Sequence, residues 1–186
     1  MLWFSFKKKQ QILTISDEAI NRIEEESIKI GKPQVLSLEI KRNKEGLGSV
    51  AVGFSQKKTS ETGFIQWVNK ADESLLSRGE LKFENGIFYF YPNVDLEWKR
   101  TPRPTIHKLI ANYEFSQETI YLESENFFRL RPILNDCFQR EGVLSLYFKG
   151  YLCQLEIPTF NKEKEERISE VLLTYLSSLY LSPWKE

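Results

Sequence analysis

The sequence predicts an α+β fold made mainly of antiparallel hairpins, with a helix near the N-terminus and a long helix near the C-terminus. A serine cap and a glycine bracket apolar residues with helical spacing in "SDEAINRIEEESIKIG". Asn85 and Gly86 stand between two apolar runs, which is the signature of a type I′ hairpin. Near the end of the chain, apolar residues follow the period of an amphipathic helix at positions 168, 171, 172, 175, 176 and 179.

The first part of the chain alternates the N-terminal helix with short strands. Ser16 is the expected N-cap of this helix, and Gly31 and Pro33 end it. Two strands follow, in "VLSLEIK" and "SVAVGF", where apolar and polar residues alternate. Between these strands, Gly46 and Gly48 supply the backbone freedom that a turn requires.

The middle of the chain continues as strands. A third strand is expected in "GFIQWVN", and the type I′ hairpin joins two strands in "LKFENGIFYFY". Pro92 ends that run, and "VDLEWK" alternates again. Pro102 and Pro104 predict an extended loop, and we expect a short local helix from Thr105. "ETIYLE" is a further strand.

The last third of the chain has a different order of elements. Pro132 suits the first position of a helix in "RPILNDCFQREG". A hairpin is expected in "VLSLYFKGYLCQLEI", turning at Lys149 and Gly150, and the long helix follows with Asn161 or Thr159 as its cap. The sequence therefore predicts a mixed helix and strand domain over 11–123. Residues 124–186 form a helix–hairpin–helix unit, either a small second domain or a part of the same one.

The amino-acid composition limits the classes of protein to which this chain can belong. The 186 residues are 41% hydrophobic and 13% aromatic, which supports a packed core and argues against disorder. The 26 basic and 26 acidic residues cancel, whereas a dedicated nucleic-acid binder usually has a basic excess. Two cysteines without a C-x-x-C spacing do not form a secreted disulfide framework. We therefore expect a cytoplasmic protein with reduced thiols.

The N-terminal "MLWFSFKKK" does not read as a signal peptide, because its apolar part is short and its lysines follow that part. We expect a first strand or a frayed end there, with a weak amphipathic membrane contact as the alternative. The sequence contains no apolar run of about 18 residues, so no transmembrane helix and no membrane partner are expected.

Two regions resemble known families of iron–sulfur proteins. The order of helix, strand, glycine turn and strand in "LTISDEAINRIEEES" and "VLSLEIKRNKEGLGSVAVGF" resembles the start of the A-type (HesB-like) iron–sulfur carriers, over about 11–123. "LRPILND" and "FKGYLC" before a long helix are similar in order to the NifU-type cluster-binding domain, over 126–182. The resemblance implies a carrier-like scaffold.

The cluster ligands of that family are missing from this chain. Its glycine turn reads "KEGLGS" where the family has a cysteine, and no C-x-C occurs. Cys137, Cys153 and His107 are too few for the roughly four soft ligands of one cluster site. We therefore expect no metal and no cofactor. The alternative is a cluster carrier whose ligands are shared across a dimer.

The stretch "EWKRTPRPTIH" carries the candidate binding residues. Basic side chains beside an aromatic ring can hold phosphates and stack a base, which makes Trp98, Lys99, Arg100, Arg103 and His107 a candidate nucleic-acid or anion site. The alternative is a solvated strand end followed by a stiff loop. No catalytic residues are expected, because the lone histidine has no evident partner and no catalytic motif occurs.

The aromatic run of the type I′ hairpin is the candidate partner surface. A strand that is apolar on both faces is either buried on both or offers one face to a partner. Phe88 and Phe90 share one face, for which we favour a position in the core; a contact with a protein partner or a second copy is the alternative. The sequence favours a non-enzymatic protein that acts by protein–protein contacts, with nucleic-acid binding as the alternative.

Overall fold

A computed structural model describes residues 13–42, 48–58 and 63–184 of the chain. The expected strand or frayed end before residue 10 and the turn at Gly46 lie outside these residues. The α+β class is confirmed, with antiparallel hairpins, an N-terminal helix and a long C-terminal helix. The elements, in chain order, are β1 (Thr14–Ile15), α1 (Asp17–Ile30), β2 (Gln34–Arg42), β3 (Gly48–Gln56), β4 (Ile65–Trp67), α2 (Lys70–Leu76), β5 (Gly79–Glu84), β6 (Ile87–Pro92), β7 (Leu96–Lys99), β8 (Ile106–Ala111), β9 (Ser116–Glu123), a 3₁₀ helix (Ser124–Arg129), α3 (Pro132–Glu141), β10 (Ser145–Gly150), β11 (Leu152–Glu156), α4 (Lys162–Tyr180) and β12 (Ser182–Trp184).

The chain divides into two compact units. Of the described residues, unit 1 holds 13–39, 52–58, 63–92 and 183–184, and unit 2 holds 40–42, 48–51 and 93–182. The main division therefore falls after Pro92, and not after residue 123 as the sequence suggested. The physical reason is strand pairing, because β7, β8 and β9 share one sheet with β10 and β11.

Unit 1 begins with the helix that the sequence predicted. The Oγ of Ser16 accepts a hydrogen bond from the Ala19 amide at 3.3 Å, so Ser16 is the N-cap. Gly31 ends α1 with a positive φ of 70°, a conformation that costs glycine little. Ala19 and Ile23 are the buried side chains of the helix.

The strands of unit 1 pair mostly as predicted. β5 and β6 form an antiparallel hairpin, and its turn residues Asn85 and Gly86 have the positive φ values, 53° and 80°, of a type I′ turn. β1 lies parallel to β5 and β12 pairs at the end of the same sheet, whose order is β1-β5-β6-β12. β2 lies between β3 and β4 in a three-stranded sheet.

Phe88 and Phe90 on β6 are fully buried, with no exposed surface. The ring of Phe88 packs against Phe54 and Phe83, with centroids 5.6 Å and 4.7 Å away. Both side chains therefore lie in the core, which was the favoured interpretation, and their burial contradicts the alternative of a partner contact at Phe88 and Phe90. A side chain without accessible surface stabilises the core of its own unit and offers nothing to a partner.

Gly79 at the start of β5 sits where no side chain fits. A Cβ at this position would overlap the ring of Phe90 and approach the carbonyl oxygen of Tyr91 to 2.9 Å. Because the carbonyl belongs to the paired strand, it cannot move without breaking the hairpin. We expect Gly79→Ala to lower the free energy of unfolding by about 1–3 kcal/mol. Urea unfolding measures this, with Glu80→Ala as the control, for which we expect a change of about 0.5 kcal/mol or less.

Unit 2 is built on a five-stranded antiparallel sheet in the order β7-β8-β11-β10-β9. The face that carries Leu109, Leu146, Phe148, Cys153 and Leu155 is buried, and we call it the inner face. α4 lies on this face, since the Tyr175 ring stacks on that of Phe148 with centroids 6.2 Å apart. α3 packs beside α4.

One predicted element of unit 2 is wrong. The residues from Thr105 form no local helix, because Ile106–Ala111 is the strand β8. β8 pairs with β7 on one side and with β11 on the other, and these pairings outweigh any local helical preference. The helix that begins at Pro132 and the Asn161 cap of α4 are as predicted. The hairpin turns at Gly150 and Tyr151, one residue later than predicted, because Lys149 still pairs with Leu152.

None of the described helices is long and apolar enough to cross a membrane.

Candidate functional site

The strands β7 and β8 and the turn between them carry the five predicted binding residues. The structure distributes these side chains over two faces of the sheet and the turn, so they do not form one surface. Trp98 and His107 lie on the inner face, in the rows of Leu109 and Leu155. Lys99 lies on the opposite face, which we call the outer face, in the row of Lys108. Arg100 and Arg103 are exposed in the turn.

Trp98 and His107 take part in an aromatic cluster on the inner face. The indole Nε1 of Trp98 donates a hydrogen bond to the Ser169 Oγ of α4 at 2.8 Å. The ring of Phe160 lies between them, with its centroid 5.1 Å from Trp98 and 4.0 Å from His107. These contacts join the sheet to α4 and to the segment before it. The indole is therefore engaged inside the unit, which argues against its predicted use as a stacking platform for a base.

The basic side chains of this segment are only partly available to an anion. Lys99 forms an ion pair with Glu97 two residues earlier on β7. The hydroxyl of Thr101 donates to the Arg103 carbonyl at 2.8 Å and so shapes the turn that carries the two arginines. Because one carboxylate already pairs with Lys99, the turn offers mainly Arg100 and Arg103 for an anion.

The outer face carries a row of side chains that runs across all five strands. The pairing register places Lys99, Lys108, Gln154, Tyr147 and Tyr121 next to one another in that order. Tyr121 is 58% exposed, and the other four side chains are partly exposed. The row therefore begins with two basic groups and ends with two aromatic rings.

Apolar and charged residues flank this row on both sides. Ile110 and Leu152 stand next to each other on one side, and Ile106 stands on the other. None of the described side chains on the outer face is buried. Its charged residues are Lys99, Lys108, Lys149, Glu97, Glu123 and Glu156. The outer face is thus an open sheet surface with an apolar part and no net charge.

Sequence reasoning did not bring these outer residues together. The alternation of "ETIYLE" and "VLSLYF" indicates which side chains share a face within one strand. It does not indicate that Tyr121 lies opposite Tyr147, or that Lys108 lies in the same row, because β9 and β10 are separated by a 3₁₀ helix and α3. That information lies in the pairing register.

A buried carboxylate links α3 to α4. Glu141, the last residue of α3, is only 3% exposed. Its two carboxylate oxygens accept hydrogen bonds from Nε and Nη2 of Arg167, both at 2.8 Å, and Arg140 donates a further bond at 3.2 Å. The bonds from Arg167 above all lower the pKa of Glu141 below its usual range. The arrangement is a satisfied ion pair and so stabilises the helix packing.

The two thiols are buried on apolar surfaces. Burial raises the pKa of Cys137, and it raises the pKa of the fully buried Cys153 well above its usual range. Among residues 13–42, 48–58 and 63–184, no group of three or more His, Cys, Asp and Glu side chains is placed to hold a metal ion.

We expect both thiols to resist alkylation in the native protein. A protonated thiol is a poor nucleophile, and the structure leaves 2% of Cys137 and none of Cys153 exposed. Mass spectrometry after treatment with iodoacetamide should find an unmodified native chain and two adducts in denaturant. Rapid modification of the native chain would contradict the placement of the thiol that reacts.

No family model matches this chain, and neither does any curated protein or solved structure.

Proposed function

We propose that this protein acts by binding a partner protein on the outer face of the unit 2 sheet. The observation that carries the proposal is the row of solvent-accessible side chains on the outer face, in which Tyr121 is exposed and the others are partly exposed, with Ile110 and Leu152 beside it: Lys99, Lys108, Gln154, Tyr147 and Tyr121. Tyrosine side chains are enriched where proteins meet, because the ring contributes apolar area and the hydroxyl contributes a hydrogen bond.

The charge of the outer face favours a protein over a nucleic acid. Three lysines stand against three glutamates, and Lys99 is already paired with Glu97. A nucleic-acid surface gains most of its affinity from cations that meet phosphates, and the carboxylates in the neighbouring rows of this face oppose this. A protein partner with an apolar centre and an acidic group opposite Lys108 fits both parts of the face.

In this proposal the protein is cytoplasmic and binds its partner without a metal. The A-type carrier resemblance of residues 11–123 stays a prediction. On that view residues 11–123 would be a scaffold whose cysteines have been replaced, and its strands β7, β8 and β9 would form part of the sheet that carries the recognition surface. The alternative of a cluster carrier with ligands shared between two chains has little support from Cys153, since that thiol is fully buried.

Site-specific photo-crosslinking tests the proposal. A benzophenone amino acid replaces Tyr147 on the outer face, and in a matched control it replaces Glu166, which is exposed on α4. We expect one protein to be cross-linked from position 147 and not from position 166. That protein is then purified, and its affinity is measured by calorimetry for the wild type and for Tyr147→Ala and Leu152→Ser.

The affinity measurement decides the proposal. We expect either outer-face variant to weaken binding at least about tenfold, as removal of a central interface residue does, while circular dichroism stays unchanged. Equal cross-linking from the two positions would overturn the proposal. Cross-linking of RNA or DNA in place of protein would overturn it in favour of the nucleic-acid alternative, for which binding should weaken steeply with added salt.

A further inference from the structure

The strand β9 forms one edge of the unit 2 sheet, and its outward backbone groups are placed to accept another strand. Among the described strands, β9 pairs with β10 only. The Ser124 amide donates to the Leu144 carbonyl at 2.9 Å, which fixes the direction of the backbone at this end. Because the direction alternates along the regular part of the strand, from Ile120 to Glu123, the N–H and C=O groups of Tyr121 and Glu123 point away from β10.

The two edges of the sheet differ in how they are protected. β7 at the opposite edge has four residues, and Pro102 and Pro104 follow it closely. β9 has eight residues, "SQETIYLE", with no proline and no lysine. Short edges, prolines and lysines are the usual devices that prevent pairing with another chain. These three devices are absent from β9, and its bulge, which is a fourth such device, lies before Ile120. The stretch from Ile120 to Glu123 is therefore not protected against such pairing.

We propose that β9 pairs with β9 of a second copy of this chain, antiparallel and about a twofold axis at Tyr121. The pairing of β9 with β10 is regular from Ile120 to Glu123 and irregular before that, so the flat part of the edge is centred near Tyr121. A twofold axis through the middle of a strand gives the same hydrogen bonds to both chains, as a closed dimer requires. The two sheets then join into one continuous sheet.

The side chains of β9 complement one another in this register. Tyr121 meets Tyr121 of the second copy on the outer face, and Thr119 meets Glu123. Ile120 meets Leu122 on the inner face. No carboxylate stands directly opposite another, and the exposed ring of Tyr121 gains an aromatic neighbour. Within the regular stretch the backbone groups that point outward belong to Tyr121 and Glu123, and this register uses both as hydrogen-bonding positions.

Sedimentation velocity of the full chain, between about 5 and 200 µM, measures the association in the range where a dimer of moderate affinity dissociates. We expect a reversible dimer.

Thr119→Lys places an ammonium opposite Glu123 of the second copy and should leave the affinity of the dimer unchanged or increase it. Thr119→Glu should weaken it by about fivefold to tenfold, because symmetry creates two repulsive pairs. Both variants change one exposed side chain, so their folds serve as controls for each other.

A disulfide trap tests the register directly. In a hydrogen-bonded antiparallel pair the Cα atoms are about 5.5 Å apart, which suits a disulfide. Tyr121→Cys should therefore form a covalent dimer under mild oxidation. The control Gln117→Cys should stay monomeric, because symmetry places the two copies of residue 117 about 26 Å apart along the strands.

A monomer at all concentrations would overturn the proposal. Equal weakening by both Thr119 variants would overturn the register, and so would equal cross-linking of the two cysteine variants. The outcome is independent of the partner-binding proposal. That proposal is tested at Tyr147 on β10 and Leu152 on β11, and neither strand is the edge strand β9.

Discussion

Replacement of Phe88 by alanine is expected to lower the free energy of unfolding of unit 1 by about 3–5 kcal/mol. The side chain is fully buried, and the rings of Phe54 and Phe83 lie against it, so truncation removes apolar burial and leaves a cavity. Urea unfolding followed by far-UV circular dichroism measures the change.

The neighbouring residue of the same strand provides the control for Phe88. Tyr89 points to the other face of β6 and is partly exposed, so Tyr89→Ala should cost about 1 kcal/mol or less. If Phe88→Ala left the stability unchanged and weakened the binding of a partner, Phe88 would be a contact residue after all. The core assignment of this strand would then have to be abandoned.

Arg167→Met is the second substitution for which we expect a large effect, a loss of about 2 kcal/mol. It removes both hydrogen bonds from Arg167 to the carboxylate of Glu141 and leaves that group buried. Water reaches the guanidinium, since the Arg167 side chain is 43% exposed, and this keeps the expected loss below that of a fully buried pair. Lys162→Met is the control, because that lysine is 88% exposed and should contribute almost nothing.

The pH dependence of stability tests the same ion pair by a second route. The folded protein holds the pKa of Glu141 below its ordinary value, so the unfolded chain takes up the proton first as the pH falls. The stabilisation is therefore complete above the ordinary glutamate pKa, about 4.3, and is lost as the pH falls through the lower pKa of the folded state. In Arg167→Met this loss on the acid side should shrink. If the variant lost as much stability at low pH as the wild type, the contact between Arg167 and Glu141 would contribute no stability to the protein.

Local signals in the sequence predicted the parts of the fold that depend on a few adjacent residues. The Ser16 cap, the turn at Asn85 and Gly86, and Pro132 at the start of α3 each act through the backbone of their own segment. β8 was mistaken for a short helix because its pairing with β11 involves residues far away in the chain. Local preference says little about such pairing.

The candidate site depends even more on distant pairing. The run from Trp98 to Arg103 was predicted as one basic surface, but successive residues of a strand point to opposite faces. Trp98 and Lys99 therefore separate, and Trp98 binds Ser169 through a contact that the local sequence does not contain. Tyr121, Tyr147 and Lys108 lie in one row only because three pairings place β8, β11, β10 and β9 side by side.

The strand order of unit 2 has a consequence for synthesis on the ribosome. β8 cannot pair with β11 until β11 has been synthesised. The His107 ring on β8 lies 3.2 Å from the carbonyl oxygen of Ile157, which is 50 positions later in the chain. At a translation rate of about 5–20 residues per second, β8 remains unpaired on its β11 side for about 3–10 s. During that interval the nascent chain exposes the apolar inner residues of β7 and β8. Protection of the nascent chain by a chaperone is therefore of most use between the emergence of β7 and that of β11.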